Sequence, residues 1–258
     1  MSDLGTAVIV EDDLDVRNLL EGVLCQAGFI VHTACDGRSG VQAVRDRNPD
    51  VVTLDVGLPD IDGFEVLRRI RGFSDAYIVM LTGRTDEIDV LGALQFGADD
   101  YITKPFRPRE MRARIAAMMR RPRQGANQPG ALRDSAAAAR ESQGVVFRHN
   151  GLVLDAGSRT TEVDGTPLIL TRSEFDLLHA LFRAHGAVLS RPQLIRAVRD
   201  DDHLPNAYIS DSDERAVEVH IGNLRRKLRD DPESPRWLQT VRGVGYRLAQ
   251  TKSRKIPG

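Results

Sequence analysis

Disulfides, membrane-spanning runs and a strong net charge are all missing from this chain of 258 residues. Its only cysteines, Cys25 and Cys35, lack metal-ligand spacing, and two in so long a chain exclude a disulfide framework. They are expected to be buried thiols in a reducing cytoplasm. No apolar run approaches the ~20 residues that a transmembrane helix needs. The opening Met1-Ser2-Asp3-Leu4-Gly5 has no basic region, so it is not expected to be a signal peptide. With 41% hydrophobic and 28% charged residues, the composition is that of a soluble globular protein of one large domain or two ordinary ones. The net charge of −1 hides an asymmetry: residues 1–122 carry 20 acidic and 15 basic side chains, residues 123–258 carry 17 and 21. An acidic half joined to a basic half suggests a cation site in one and a polyanion partner for the other.

What is present is organised around Val51-Val52-Thr53-Leu54-Asp55-Val56-Gly57-Leu58-Pro59. An apolar run of this kind reads as a strand buried on both faces, and it delivers Asp55 at its C-terminal end. Further buried strands are expected at Ala7–Val10, from Phe29, at Tyr77–Leu81 and at Tyr101-Ile102, with helical periodicity between them. Five alternations of strand and helix predict a doubly wound five-stranded parallel sheet. In such a sheet ligands bind beyond the carboxyl ends of the strands. Glu11, Asp12, Asp55, Thr82 and Lys104 all fall there. Three carboxylates packed together need a counter-charge, and a hard divalent cation with oxygen ligands, Mg²⁺, meets that need. An aspartate beside such a cation can take up a phosphoryl group. Lys104 and Thr82 would contact its oxygens.

Residues 123–144 are rich in Gly, Ala, Gln and Ser and hold one large apolar residue, Leu132, so a flexible linker is expected. Beyond it, four short strands are expected at Val145–Phe147, Leu152–Leu154, Thr160–Val163 and Leu168–Leu170, with hairpin signals at Asn150-Gly151 and Asp164-Gly165. Capping boxes open at Thr171–Glu174 and Ser190–Gln193. A polar segment, Asp200 to Ser212, leads to a third helix from about Asp213 to Arg229. Its core stripe is Val217, Ile221, Leu224 and Leu228, and its other faces carry Arg215, Glu218, Asn223, Arg225, Arg226 and Arg229. Trp237 to Leu248 reads as a hairpin with Arg242 near its tip. Three helices and a hairpin make a winged helix-turn-helix, with the third helix suited to the major groove of double-stranded DNA. Residues 251–258 form a basic tail.

Val10-Glu11-Asp12-Asp13, Leu54 to Pro59, Leu81-Thr82 and Gly97 to Phe106 together resemble the motif set of a response-regulator receiver domain, over about residues 5–122. Val217 to Ile221, Leu224 to Leu228 and Thr240 to Arg247 resemble the DNA-binding half of the OmpR/PhoB family, over about residues 145–249. The resemblance implies a flavodoxin-like receiver (1–122) and an α+β winged helix-turn-helix domain (145–250). It implies that Asp55 accepts phosphate from a sensor histidine kinase, and that Glu11, Asp12, Asp55 and the Gly57 carbonyl organise Mg²⁺. Thr82 and Tyr101 would be the switch pair. By the same resemblance Arg215, His220, Asn223, Arg225, Arg226 and Arg242 contact DNA, and the Asp200–Ser212 segment stands where relatives meet RNA polymerase.

Family members resemble one another in dimerising on phosphorylation through the fourth helix, fifth strand and fifth helix. Leu91, Leu94 and Ala113 match the apolar patch of that face, and Asp100 with Arg114 and Asp99 with Arg121 match two ion pairs. Opposite Glu110, where a basic residue is needed, this chain has Val90, which predicts a weak solution dimer. Two other readings compete. A phosphatase of the aspartyl-nucleophile type resembles a pattern with a second aspartate two residues after the nucleophile, where this chain has Gly57. A constitutive DNA-binding regulator would use the receiver only as an interaction module, and the complete acidic pocket argues against it.

Overall fold

The computed structural model describes residues 5–83, 92–119, 145–199, 209 and 211–250. The chain divides into two compact units, Met1–Arg121 with Arg199–His220, and Pro122–Val198 with Ile221–Gly258.

In the first unit, β1 (Gly5–Val10), α1 (Leu14–Gln26), β2 (Phe29–Ala34), α2 (Gly37–Arg47), β3 (Val51–Asp55), α3 (Gly63–Arg71) and β4 (Tyr77–Thr82) alternate as expected. There follow α4, described over residues 92–95, β5 (Asp100–Thr103) and α5 (Pro108–Met119). The five strands lie in the order β2-β1-β3-β4-β5, and every pairing is parallel. Successive residues of each strand feed opposite faces. Val8, Val10, Val52, Leu54, Ile78 and Met80 pack with Val44 of α2 and Val66, Leu67 and Ile70 of α3. Ala7, Ile9, Val51, Val79 and Leu81 pack with Leu20, Val23 and Leu24 of α1 and Met111 and Ile115 of α5. Both faces are covered, which is why the strands read as continuous apolar runs. The strand order reverses between β1 and β3, opening the crevice where such sheets bind ligands.

Cys25 and Cys35 depart from expectation, for both are exposed. Cys25 falls off the buried Leu20–Val23–Leu24 stripe of α1, and Cys35 follows the last residue of β2.

The second unit begins with β6 (Val146–His149), β7 (Leu152–Asp155), β8 (Thr160–Val163) and β9 (Thr166–Pro167), one antiparallel sheet in chain order. Asn150-Gly151 and Asp164-Gly165 both turn with positive φ at each residue, as the sequence predicts. The fourth strand is corrected: it is Thr166–Pro167 and not Leu168–Leu170. The Leu168 N–H still donates to the Thr161 carbonyl at 2.8 Å, and beyond it Ile169 is left 84% exposed. Then come α6 (Arg172–Arg183), α7 (Arg191–Arg199) and α8 (Asp211–Leu228), and a hairpin of β10 (Leu238–Val241) and β11 (Gly245–Leu248). Thr171 and Glu174 form a complete capping box, and Ser190 and Gln193 exchange the same pair of bonds. Phe175, Leu178, Leu181, Leu194, Ile221, Leu224, Trp237 and Leu248 are among the buried residues of this unit. The Leu189 carbonyl lies 2.0 Å from where a Cβ on Gly245 would stand, so only glycine admits the bridge joining the hairpin to Leu189.

Residues 199–220, inside the span expected for the second domain, group with the first unit. There Asp213, 6% exposed, accepts from Arg114 at 3.1 Å and from Arg199. The linker at 123–144 lies outside the described residues, as do residues 200–208 of the polar segment and the tail at 251–258. No helix among the described residues is long and apolar enough to cross a membrane.

Candidate functional site

The parallel register gathers the acidic pocket. Val10 stands beside Leu54, Asp55 beside Leu81, and Thr82 beside Thr103. The residues that follow these strands therefore share one edge. Glu11 is fully buried, Asp55 is 6% exposed and Asp12 is exposed. Carboxylate oxygens of these three lie within 4.8 Å of one another. Lys104, following β5, reaches across: its Nζ lies 2.8 Å from Glu11 Oε2 and 3.0 Å from Asp55 Oδ2, and donates to Glu11 Oε1 at 2.9 Å. Its backbone N–H donates to the Thr82 carbonyl at 2.7 Å, and the Lys104–Pro105 peptide is cis.

Burial, followed by the charge of Asp55, pushes the Glu11 carboxyl up, against the pull of its bond with Lys104. Burial also opposes the Lys104 charge, but hydrogen bonds with Glu11 and Asp55 outweigh it and hold the ammonium above its ordinary range. Lys104 thus neutralises a pocket that would otherwise repel itself.

The Glu11-Asp12-Asp13 run divides by role. Asp13 caps α1, its Oδ1 accepting from Asp15 and Val16 N–H groups at 2.8 and 3.0 Å. Glu11 and Asp12 remain for the pocket. Arg17, which the sequence does not single out, donates from Nη1 to the Glu11 and Asp12 carbonyls at 2.7 and 3.1 Å, tying the loop that carries both. A lone arginine on an amphipathic helix carries no signal of that kind. On the other side, a Cβ on Gly63 would meet the Asp55 carbonyl at 2.3 Å, so α3 can start this close to β3 only with glycine there. Gly57 is different: a Cβ there would find only Asp55 Oδ2, at an ordinary 3.9 Å. Thr82 is 3% exposed at the end of β4, and Tyr101 packs its half-buried ring against the core.

The expected pairing face fares unevenly. Leu94 is corrected from a surface patch residue to a fully buried core residue. It faces the sheet from α4, packed in the cluster of Val66, Leu67 and Ile70. Asp99 is engaged within the chain, accepting from Arg71 Nη2 at 2.5 Å and the Ile78 N–H at 3.0 Å. Asp100 pairs with Arg114 at 3.0 Å, and Ala113 is exposed. Val90, Leu91, Arg121 and the Glu110 side chain lie outside the described residues.

The expected nucleic-acid residues divide as well. Arg215, Arg226 and Arg242 are exposed, Arg242 at the turn of the hairpin. Arg225 is half-buried and braces that hairpin, donating from Nη2 to the Leu238 carbonyl at 2.9 Å and Thr240 Oγ1 at 2.7 Å. Asn223, expected on an open face, is 2% exposed, with Oδ1 accepting from Arg226 Nη2 at 2.6 Å. His220 is 4% exposed, its Nε2 3.1 Å from the Asp99 carbonyl oxygen inside the first unit. Both adjoin the core stripe in sequence, as do the exposed Glu218 and Gly222, so the helical period alone does not set their burial.

Comparison with known proteins covers both halves of the chain. Residues 7–116 match the family of response regulator receiver domains, and residues 165–248 match the C-terminal domain of transcriptional regulatory proteins. The transcriptional regulatory protein AfsQ1 of Streptomyces coelicolor is 41% identical over 241 residues, 93% of this chain and 96% of that protein. A probable transcriptional regulator, ycf27 of Guillardia theta, is 36% identical over 239 residues, 93% of this chain and 88% of that one. Among solved structures, a mutant of RitR superposes with a TM-score of 0.69 at 24% identity, covering 96% of this chain and 99% of its own. That last likeness supports the fold.

Proposed function

The chain belongs to the two-component response regulators that couple a receiver domain to a C-terminal DNA-binding domain, and from that premise we propose that phosphorylation of Asp55 controls its binding to DNA. It acts as a transcriptional regulator. The observation that carries the proposal is the convergence of Glu11, Asp12, Asp55 and Lys104 at the β1–β3 crevice.

The donor set, carboxylates with a backbone carbonyl beside them, fits a hard cation. Glu11, Asp12, Asp55 and the Gly57 carbonyl would hold Mg²⁺, which when bound neutralises charge on the phosphoryl oxygens. An Asp55 oxygen attacks the phosphorus of a phosphohistidine on the sensor kinase. The new O–P bond forms as the P–N bond breaks, and its electron pair leaves with the imidazole nitrogen. Lys104, already 3.0 Å from Asp55, is within reach of the incoming phosphoryl oxygens. The Thr82 hydroxyl moves toward them, and the Tyr101 ring turns inward behind it. Pairing of two receivers through α4, β5 and α5, with Ala113, Asp100 and Arg114 on that face, presents two winged domains to DNA half-sites about one helical turn apart. RNA polymerase would be met through the acidic segment before α8, in the cytoplasm.

Intact-mass measurement after treatment with acetyl phosphate and Mg²⁺ tests the phosphoacceptor. One phosphate adduct is expected on the wild type and none on Asp55→Asn. Equal modification of both proteins would refute the assignment.

A further inference from the structure

Two of the three carboxylates in the acidic pocket are held by their surroundings, and the third is not. Glu11 is fully buried and accepts from Lys104 at 2.9 Å. Asp55 ends β3, whose residues are all buried, and pairs with Lys104 at 3.0 Å. Asp12 is exposed, and among the described residues no hydrogen bond or ion pair holds its side chain. Where that carboxylate points depends on its backbone.

The helical ladder of α1 starts with the Arg17 N–H on the Asp13 carbonyl at 2.9 Å, and the Asp15 and Val16 N–H groups go to the Asp13 side chain. The Glu11 and Asp12 carbonyls precede that ladder. Arg17 Nη1 donates to both of them, at 2.7 and 3.1 Å. Each carbonyl belongs to a planar peptide unit, and these two units stand on either side of the Asp12 Cα. Holding both planes fixes the two backbone dihedrals of Asp12, and with them the direction of its Cβ. Mg²⁺ demands near-ideal octahedral geometry, so the aim of a ligand matters to it. The charge of Arg17 works the other way. It is half-buried and pairs with no carboxylate among the described residues, and a cation beside a cation site repels Mg²⁺. Position and charge therefore predict effects of opposite sign.

We infer that Arg17 is a positioning residue of the metal site, aiming the Asp12 carboxylate at Mg²⁺ by holding the two peptide planes that flank it. The inference rests on the reading of the pocket as a Mg²⁺ site. Titration of the full chain with MgCl₂, followed by the amide signals of residues 11–13 and 55–57, measures the affinity. Nitrogen-15 relaxation of the Asp12 amide measures its motion on the ps–ns timescale. Arg17→Gln should weaken Mg²⁺ binding by about tenfold, the loss typical when a partner behind a metal ligand is removed, and Asp12 should become mobile. A bystander charge gives the opposite sign, because its removal tightens binding. If Arg17→Gln fails to fold, Arg17→Lys carries the same test with the same expectations, since it keeps the charge on a side chain too short to hold both carbonyls. Unchanged or tighter Mg²⁺ binding overturns the inference, and so does weaker binding with Asp12 as rigid as in the wild type. A wild type whose signals do not respond to Mg²⁺ would instead remove the reading of the pocket, and the role of Arg17 with it.

Discussion

Lys104 sets the resting state of the acidic pocket by answering both Glu11 and Asp55, and on the proposed mechanism phosphorylation redirects it rather than creating its site. The carboxylates and the lysine are legible in the sequence, because strand ends in a doubly wound sheet have nowhere else to point. The roles within Glu11-Asp12-Asp13 are not fully legible, since the cap formed by Asp13 and the tether from Arg17 are bonds of local geometry. Another single carboxylate provides a sharp test of the electrostatics. Glu65 on α3 accepts from Arg68 at 2.8 and 2.9 Å and from Arg69 at 2.7 Å, and these bonds pull it from 4.5 to about 2. Its folded value lies below its unfolded one. Its contribution to stability is therefore fully present above the unfolded value and is lost as pH falls through about 2. The group is open to solvent, so the contribution is small. Carbon-13 detection should find its carboxyl still ionised at about pH 3.5, where an unpaired glutamate is mostly protonated. Replacing Arg68 and Arg69 together by glutamine should return the titration toward the ordinary range, and an unchanged midpoint would contradict the pairing.

At the scale of elements, α6 and the hairpin carry different kinds of stability. Thr171 caps α6 together with Glu174, whose Oε2 also pairs with Lys227 of α8 at 2.6 Å. Thr171→Ala should cost about 1 kcal/mol. Glu174→Ala removes the reciprocal bond and the ion pair and should cost more, about 2–3 kcal/mol. Trp237, the only tryptophan, is 4% exposed in the second unit, so urea unfolding followed by its fluorescence reports these changes. Equal costs for the two variants would mean that the Lys227 pair contributes nothing.

The hairpin separates recognition from support. Arg242 is exposed at its turn, whereas Arg225 holds its strands. Arg242→Ala should flatten the log–log salt dependence of DNA affinity by about 0.9 for each phosphate it neutralises, leaving the unfolding midpoint alone. Arg225→Ala should lower that midpoint. A reversed pattern would exchange their roles. The capping boxes and both type I′ turns can be read in advance, because each is a short-range code. The fourth strand cannot, because its extent depends on pairing with β8 across the turn rather than on its own apolar run.

For the whole molecule, the two halves and their chemistry follow from alternation, charge and motif order. The grouping of residues 199–220 with the first unit does not. It depends on Asp213 meeting Arg114 and Arg199, and His220 meeting the Asp99 carbonyl, pairings far apart in sequence that no local pattern announces. The burial of His220 belongs with them. If phosphorylation of Asp55 controls DNA binding, the chain must recognise its sites differently before and after modification. Footprinting on genomic DNA, comparing the untreated protein, the protein treated with acetyl phosphate and Mg²⁺, and treated Asp55→Asn, measures this directly. The account predicts paired protected half-sites about one helical turn apart for the phosphorylated wild type, and weak or absent protection for the other two. Identical footprints from all three would show that Asp55 phosphorylation does not govern this regulator.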